Sequence, residues 1–597
     1  MKLLDLDGVI EKGVFEIPSY QRGYAWQERQ LKDFWNDLEH VSKLGDKFHY
    51  MHSLTLRELE NDFENSAFEI IDGQQRLATS LILLGLLAKT TQNKDPKYSL
   101  INLEPILSYK YYGLSEAFRA ITEEEKDLEA FKTSFYAKNL IEAYEFFQEK
   151  IRNLPNTTLN KLLDALSKKM LFSVVGLNDN RIDPFSSFET INNRGKDLST
   201  LELLKNRLHF VAHKICEEED LENLQQDIND TYTRIYHDLR FFEDDRLEDF
   251  LKYFVAYYYG ENSKFKERLL NTAFDAHKKY DDLYDEYEKI NDLLLYLSYS
   301  SKVWYFLHTL DDEELRIEIT PKMRGLLDKM RRLNALSENA FLPLLLSLLT
   351  IQLAVRSGSE RHYTTKELED LLEYLERFGF LIYGVAGKDT AKNEWIELAF
   401  KAIQACRFWD DKITIENLPT LEKNFFKGKY SGLELLEESI HSKKNAEKKW
   451  YKWVKALNYL LYEYELHHNP ETNLNFDDSI ASIEHILPQN PDQGYSAKEK
   501  NWAKNPNIVH ALGNLLLIPK NANSSLSNKP FDEKRKEYLK GSYSEKEVAK
   551  NASFGVEQIK ERSEKLLDFL IAHYRIAELV GESAIKSFKN ASLEDIK

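Results

Sequence analysis

Ser482-Ile483-Glu484-His485-Ile486-Leu487-Pro488-Gln489-Asn490 is followed, after a gap, by Leu512-Gly513-Asn514-Leu515 and then by Asn521-Ala522-Asn523. Residues 481–486 read as a short strand, ended by the breakers Pro488, Asn490, Pro491 and Gly494. Residues 512–518 are a second apolar run, with a Gly-Asn start and a stop at Pro519. Residues 532–541 are charged and compatible with a helix. The predicted order is strand, loop, strand, helix. Glu484 and His485 are neighbours, so on a strand they face opposite sides. One site uses both only where the strand ends or twists, and Pro488 predicts such an ending.

The order acid, His, Ile, apolar residue, Pro, then a Gly-Asn step and a further Asn resembles the His-Asn-His nuclease pattern, built on a ββα-metal hairpin. The resemblance implies hydrolysis of a phosphodiester. That chemistry needs an activated water and a means of stabilising the leaving oxyanion. A His with a near-neutral pKa suits the base role, which falls to His485. A divalent cation, Mg²⁺ or Mn²⁺, would stabilise the leaving oxygen. Hard cations take oxygen ligands, so Glu484 and the amide oxygen of Asn523 are the metal candidates. Asn523 stands nine positions after Asn514; Asn528, five residues further on, is the alternative ligand. Asn514 would be the middle Asn, which in the family holds the His loop in place.

Composition bounds the rest. The chain has 597 residues, enough for three or four domains, with 42% hydrophobic residues and 33 each of Tyr and Phe. Its two cysteines, Cys216 and Cys406, form no CxxC, which argues against a disulfide framework or a thiolate zinc site and fits a reducing cytosol. The N-terminus carries acids where a signal peptide needs an apolar core, and no run approaches a membrane span. A cytoplasmic protein with no membrane partner is the expectation. The net charge of −18 counts against a broad nucleic-acid coat but not against a local basic groove. Such a groove is suggested by Lys498, Lys500, Lys504, Lys520, Lys529, Lys534, Arg535 and Lys536.

Along the chain, 28–41 reads as an amphipathic helix with Leu31, Phe34, Trp35 and Leu38 on one face. Phe15 to Pro18 reads as a strand end, and Phe68 to Ile71 as a strand. Asp72-Gly73 then makes a turn into a helix over 77–89. Residues 136–170 read as helical, 171–175 and 185–191 as strands, and 201–215 as a helix. From about 217 to 440 the pattern is almost all helical, without a fixed-period repeat. The polar stretch 427–449 would join this part to the C-terminal domain. The tail, 555–582, reads as closing helices with Ile559, Leu566, Leu567, Phe569, Leu570 and Ile571 as core candidates. The expected class is α-dominant α+β: an N-terminal mixed α/β nucleotide-handling domain over 1–215, a helical middle over 216–440 and a nuclease domain over 441–597.

Three N-terminal strings place Arg and amide side chains near a Gly: Ile17-Pro18-Ser19-Tyr20-Gln21-Arg22-Gly23-Tyr24-Ala25-Trp26, Ile70-Ile71-Asp72-Gly73-Gln74-Gln75-Arg76-Leu77, and Phe188-Glu189-Thr190-Ile191-Asn192-Asn193-Arg194-Gly195-Lys196-Asp197-Leu198. An Arg fork suits phosphate oxygens, and Gly lets a backbone approach a ligand closely. The second string sits where a strand turns into a helix, so its N–H groups can face an anion. A P-loop is absent: Gly384 to Asp389 has the wrong spacing and lacks the Ser or Thr.

These strings resemble the YQRxYxW, DGQQR and FxxINxRGxxL strings of the GmrSD-type modification-dependent restriction family. The EHI(L/I)P and LGNL strings of that family's His-Asn-His domain match as well. The DGQQR turn is similar to the nucleotide-handling turn of the ParB/sulfiredoxin-like fold. The resemblance covers roughly residues 10–210 and 440–580. It implies a defence enzyme that binds and hydrolyses a nucleoside triphosphate (GTP, UTP, CTP or ATP) at its N-terminal domain and cuts modified phage DNA with its C-terminal domain. It carries Asp72, Gly73, Gln74, Gln75 and Arg76 to the nucleotide site, with Asn192, Arg194 and Gly195 beside them. Tyr20, Gln21 and Arg22 belong to the same site or to sensing the modified DNA. Two other readings stay open: an NTP-dependent DNA-binding regulator with a vestigial nuclease site, and an RNA-directed nuclease. Oligomeric state stays open too, a homo-oligomer included.

Overall fold

The computed structural model describes residues 2–596 except 20, 46, 60–65, 111–112, 177–198, 262, 276–277, 281, 314, 356–362, 409–410, 442–448, 475, 477–480, 492–493 and 595. The chain forms two compact units, Met1–Leu315 and Arg316–Lys597. The helical stretch 216–440 is divided between them. The architecture is helix-rich α+β.

Among the described residues, the first unit is built on a mixed sheet of six strands: β1 (Lys2–Leu4), β2 (Val14–Ile17), β3 (His49–Leu59), β4 (Ala67–Asp72), β5 (Leu107–Tyr109) and β6 (Met170–Gly176). Their spatial order is β1-β6-β3-β4-β2-β5. β2 runs parallel to β4 and β5, and β3 runs antiparallel to β4 and parallel to β6. The longest strand, β3, escapes the sequence reading because His49, His52, Ser53, Thr55, Arg57 and Glu58 break up its apolar pattern. Pairing on both edges makes it a strand; Leu54, Thr55 and Leu56 are buried.

Helix Glu28–Lys43 buries Leu31, Phe34, Trp35, Leu38 and Val41, the stripe its periodicity demands. The helix after β4 begins at Gln74, three residues earlier than expected, and runs to Thr90 with every residue from Leu77 to Ala88 buried. The helical stretch 136–170 is two helices, Phe135–Ile151 and Asn156–Lys168. Pro155 separates them by removing an N–H donor and disfavouring helix at the residue before it. A capping box at Ser199 starts the helix Thr200–Ile215. The strand expected over 185–191 and the whole third string lie outside the described residues.

The second unit gathers helices Pro321–Ser337, Leu342–Ala354, Thr365–Phe378, Lys392–Phe408 and Val454–His468. Leu342–Ala354 is apolar all round and buried through Gln352, as a core helix should be. An antiparallel hairpin follows, β7 (Ala481–His485) with β8 (Leu515–Pro519). Helices Lys520–Leu526, Phe531–Tyr538 and Val556–His573 come after it. In Val556–His573 the expected core residues Ile559, Leu566, Leu567, Phe569 and Leu570 are buried, whereas Ile571 is only half-buried because it points off that stripe. Among the described residues no helix is long and apolar enough to cross a membrane.

Candidate functional site

β7 ends where its partner's side chains take over from its backbone ladder. The register pairs Glu484 with Leu516 and His485 with Leu515, and Ile486 N–H adds one more bond, to Asn514 O at 3.0 Å. At the next residue the Asn514 side chain replaces the strand. Its Oδ1 accepts from Leu487 N–H at 2.8 Å, and its Nδ2 donates to Leu487 O at 2.9 Å and to Val509 O at 2.7 Å. The amide thus fills both hydrogen-bonding positions of Leu487 and ties down the turn that carries Pro488. Asn514 is fully buried, so these bonds have no water to compete with them. Gly513 is required for a different reason. A Cβ there would lie 2.0 Å from Ile559 O, inside the backbone of helix Val556–His573.

His485 sits at the end of β7, only 7% exposed. Its Nε2 lies 3.0 Å from His510 Nδ1, and its Nδ1 lies 3.4 Å from Gln489 Nε2. Tyr451 meets the His485 ring edge-on at 4.7 Å and stacks on His510 at 5.6 Å. Burial, then His510 and the Lys534 ammonium, push the His485 imidazole down to about 3, so it is neutral at physiological pH. A folded-state value below the ordinary His value means that the unfolded chain binds the proton first. Stability from this group is therefore full above about pH 6.5 and is lost as pH falls towards 3. The expected slope is at most about 1.4 kcal/mol per pH unit in that window. His573, held down to about 4, acts in the same direction. Glu376, Glu484 and Glu545, which burial raises, act in the opposite one. Urea denaturation of wild type and His485→Gln between pH 7 and pH 5 isolates the His485 share: the variant's stability should fall less steeply.

Glu484 faces the other side of the strand, as alternation requires. Its carboxylate takes the Lys534 ammonium at 2.5 Å and the Tyr538 hydroxyl at 3.1 Å. Lys534 also donates to His485 O at 2.9 Å and Ile486 O at 3.3 Å. Lys534 and Tyr538 stand four apart on one helix, which brings both to one face. Lys534 is fully buried and so leaves the basic groove expected around the hairpin; Lys498, Lys504, Lys520, Lys529 and Lys536 remain exposed. Asn523 lies on helix Lys520–Leu526, directly after β8, and its Nδ2 donates to Ser482 Oγ at 2.8 Å and Ile483 O at 3.1 Å. Asn523 is therefore packed against β7, whereas Asn528 lies beyond that helix. The Lys534 ammonium and the Tyr538 phenol both meet Glu484 Oε1, so a divalent cation at that oxygen would compete with an ammonium already in place. Among the described residues no group of three or more His, Cys, Asp or Glu is placed to hold a metal ion.

In the first unit two of the three strings meet. Gln75 bridges them, donating to Gly23 O at 2.9 Å and accepting from Ala25 N–H at 2.9 Å. Gln74 Nε2 donates to Arg22 O at 3.3 Å, and Gln21 Nε2 donates to Ile70 O at 2.8 Å. Gly73 holds the left-handed φ of 97° that the strand-to-helix turn needs, and a Cβ there would lie 2.9 Å from Ser53 O. The helix that follows has no side-chain cap on its first N–H groups. Arg76 pairs with Asp72 at 3.1 Å and donates to Met51 O at 3.1 Å. Arg22 pairs with Glu202 at 3.2 Å. Tyr20, Asn192, Arg194 and Gly195 lie outside the described residues. A cavity of about 610 Å³ opens beside Ser19, lined by Lys110, Arg234, His237 and Lys302 among others, but Asp72 to Arg76 do not line it.

His510, Gln489, Tyr451 and Lys534 are the neighbours that sequence reading passed over as site residues. His510 carried one usable signal, a second His four residues before Asn514 in the same apolar turn. Tyr451, over thirty residues upstream, carried none.

Two family models match the chain. The GmrSD restriction endonuclease N-terminal domain matches residues 3–209, and the GmrSD restriction endonuclease C-terminal domain matches residues 437–569. Together they span more than half of the chain and include both constellations. No curated protein matches it. The chain therefore belongs to the GmrSD restriction endonuclease family, whose enzymes are DNA endonucleases acting in restriction.

Proposed function

We propose that this chain cuts modified or foreign phage DNA by phosphodiester hydrolysis at a His-Asn-His hairpin, and that nucleoside triphosphate turnover in its first unit regulates the cut. The observation that carries the reading is the Asn514 clamp. An amide bonded to both sides of Leu487 fixes the strand end at which His485 stands. His485 would take the proton of the attacking water; it is neutral and keeps a nitrogen lone pair, although burial, His510 and Lys534 hold it well below the near-neutral value expected of a base from the sequence. No step is assigned to a metal, since Glu484 is held by Lys534. The reading is tested on supercoiled plasmid DNA, modified phage DNA and RNA, each with and without nucleotide and Mg²⁺. Cleavage of modified DNA supports it. Cleavage of RNA alone favours the RNA-directed reading, and binding without cleavage favours a regulator with a vestigial nuclease site.

The nucleotide part rests on the turn after β4. Uncapped N–H groups at a helix start, a Gly that admits close approach and Arg76 make a donor set suited to phosphate. Gln74 Oε1 is buried without a hydrogen-bond partner among the described residues, an unmatched acceptor that an N–H or O–H of a ligand, and not a phosphate oxygen, would satisfy. Gln74 and Gln75 would keep the 22–25 loop against the turn, and Arg76 would leave Asp72 to meet phosphate oxygens. Arg76→Ala is expected to remove phosphate release from nucleoside triphosphate without altering the melting of the second unit. Malachite-green assay and calorimetry on one preparation check both. Undiminished phosphate release would end the assignment of this turn.

A further inference from the structure

We infer that His510 is the positioning partner of His485: it accepts the Nε2 proton and thereby presents Nδ1 as the basic nitrogen. The inference rests on the reading of His485 as the base, and it concerns a residue outside the His-Asn-His set.

A neutral imidazole has one N–H and one lone pair, and the partner at each nitrogen decides which is which. The Gln489 amide nitrogen, which only donates, faces His485 Nδ1 at 3.4 Å. With Gln489 donating, the lone pair of His485 is on Nδ1, where an attacking water would take the place of the amide, and its proton is on Nε2. At Nε2 the partner is His510 Nδ1, 3.0 Å away, which must then accept. The two rings stand at 76° to one another with centroids 5.1 Å apart, and Nε2 to Nδ1 is their hydrogen-bonding contact.

His510 is itself held in place. Its N–H donates to Pro506 O at 3.1 Å, and the carbonyl just before it, Val509 O, accepts from Asn514 Nδ2 at 2.7 Å. Asn514 thus fixes the backbone on both sides of the pair: Leu487 after His485, and Val509 before His510. Tyr451 lies parallel to the His510 ring, at 14°, and restricts its rotation. His510 is 6% exposed and lies on the far side of the His485 ring from Nδ1, so it acts through His485 and not on substrate. A base oriented by a third group is the general logic of activated catalytic pairs.

The test uses the full chain with [¹⁵N]histidine label. The His485 resonances are identified by their loss in His485→Ala. Wild type should show a protonated Nε2 and an unprotonated Nδ1 on His485. A wild-type His485 protonated on Nδ1 overturns the inference without any variant. His510→Leu should mix the two tautomers, and His510→Asn, whose Oδ1 can accept in place of Nδ1, should keep the wild-type one. Nicking of supercoiled phage DNA carrying modified bases, with nucleotide and Mg²⁺, gives the kinetic arm. For His510→Leu we expect kcat to fall about 10- to 100-fold at unchanged KM, with His510→Asn recovering most of it. If His485→Ala is inactive while His510→Leu keeps both the wild-type tautomer and the wild-type kcat, the positioning role is wrong and the base reading stands. If His485→Ala nicks like wild type, the base reading itself is wrong.

Discussion

His485→Ala is expected to lower the rate of DNA nicking about 10²- to 10⁴-fold, the usual range for loss of a general base. The fold should survive, because the strand end that carries His485 is held by Asn514 and by Lys534 bonding to the His485 carbonyl, neither of which needs the imidazole. Phosphate release from nucleotide should be unchanged, since the strings assigned to it lie in the other unit. Single-turnover nicking, phosphate release and thermal melting on the same preparation check the three parts. A variant that nicks at the wild-type rate would remove His485 from the chemistry and leave the buried His485–His510 pair as packing.

Lys534→Met is expected to destabilise the second unit by about 3–5 kcal/mol, the typical cost of stranding one member of a buried ion pair. Burial works against both charges: it raises Glu484 and lowers Lys534, and their contact offsets that. Removing the ammonium leaves a carboxylate that is 4% exposed with only the Tyr538 hydroxyl as its side-chain partner, and it also frees the His485 and Ile486 carbonyls. The double variant Glu484→Leu/Lys534→Met should recover much of the loss, because replacing a buried pair by apolar groups is often neutral. Urea denaturation of both single variants and the double variant gives the coupling. A loss below about 1 kcal/mol for Lys534→Met, on the scale of an exposed pair, would mean that Lys534 is not the buried counter-ion of Glu484. Glu484 would then be open to the metal role that its place beside His485 suggested.

The sequence by itself determined the hairpin, the turn at Asp72-Gly73 and the helices with clean periodicity. Each rests on local chemistry that needs no distant partner: breakers after 487, a Gly-Asn step before an apolar run, a Gly where φ is positive, and apolar residues three and four apart. The resemblance to the His-Asn-His pattern, rather than any local chemistry, suggested Asn514 for holding the His loop, and in the structure its side chain bonds both sides of Leu487. Only the tertiary structure decided what each side chain at the hairpin touches. Alternation said that Glu484 and His485 face opposite ways, but not that a lysine fifty residues on would meet the first and a histidine twenty-five residues on the second. Both lie beyond the reach of a local pattern. Lys534 looks in sequence like one more solvated cation among Glu533, Arg535 and Lys536, and the packing of Phe531 and Tyr538 turns it inward. β3 was hidden for the same reason: its polar residues read as a loop until strands on both sides paired its backbone. A periodic pattern records which face of an element is apolar. Which partner fills a polar position is set by long-range packing, where desolvation makes each buried charge or amide depend on the residue brought against it.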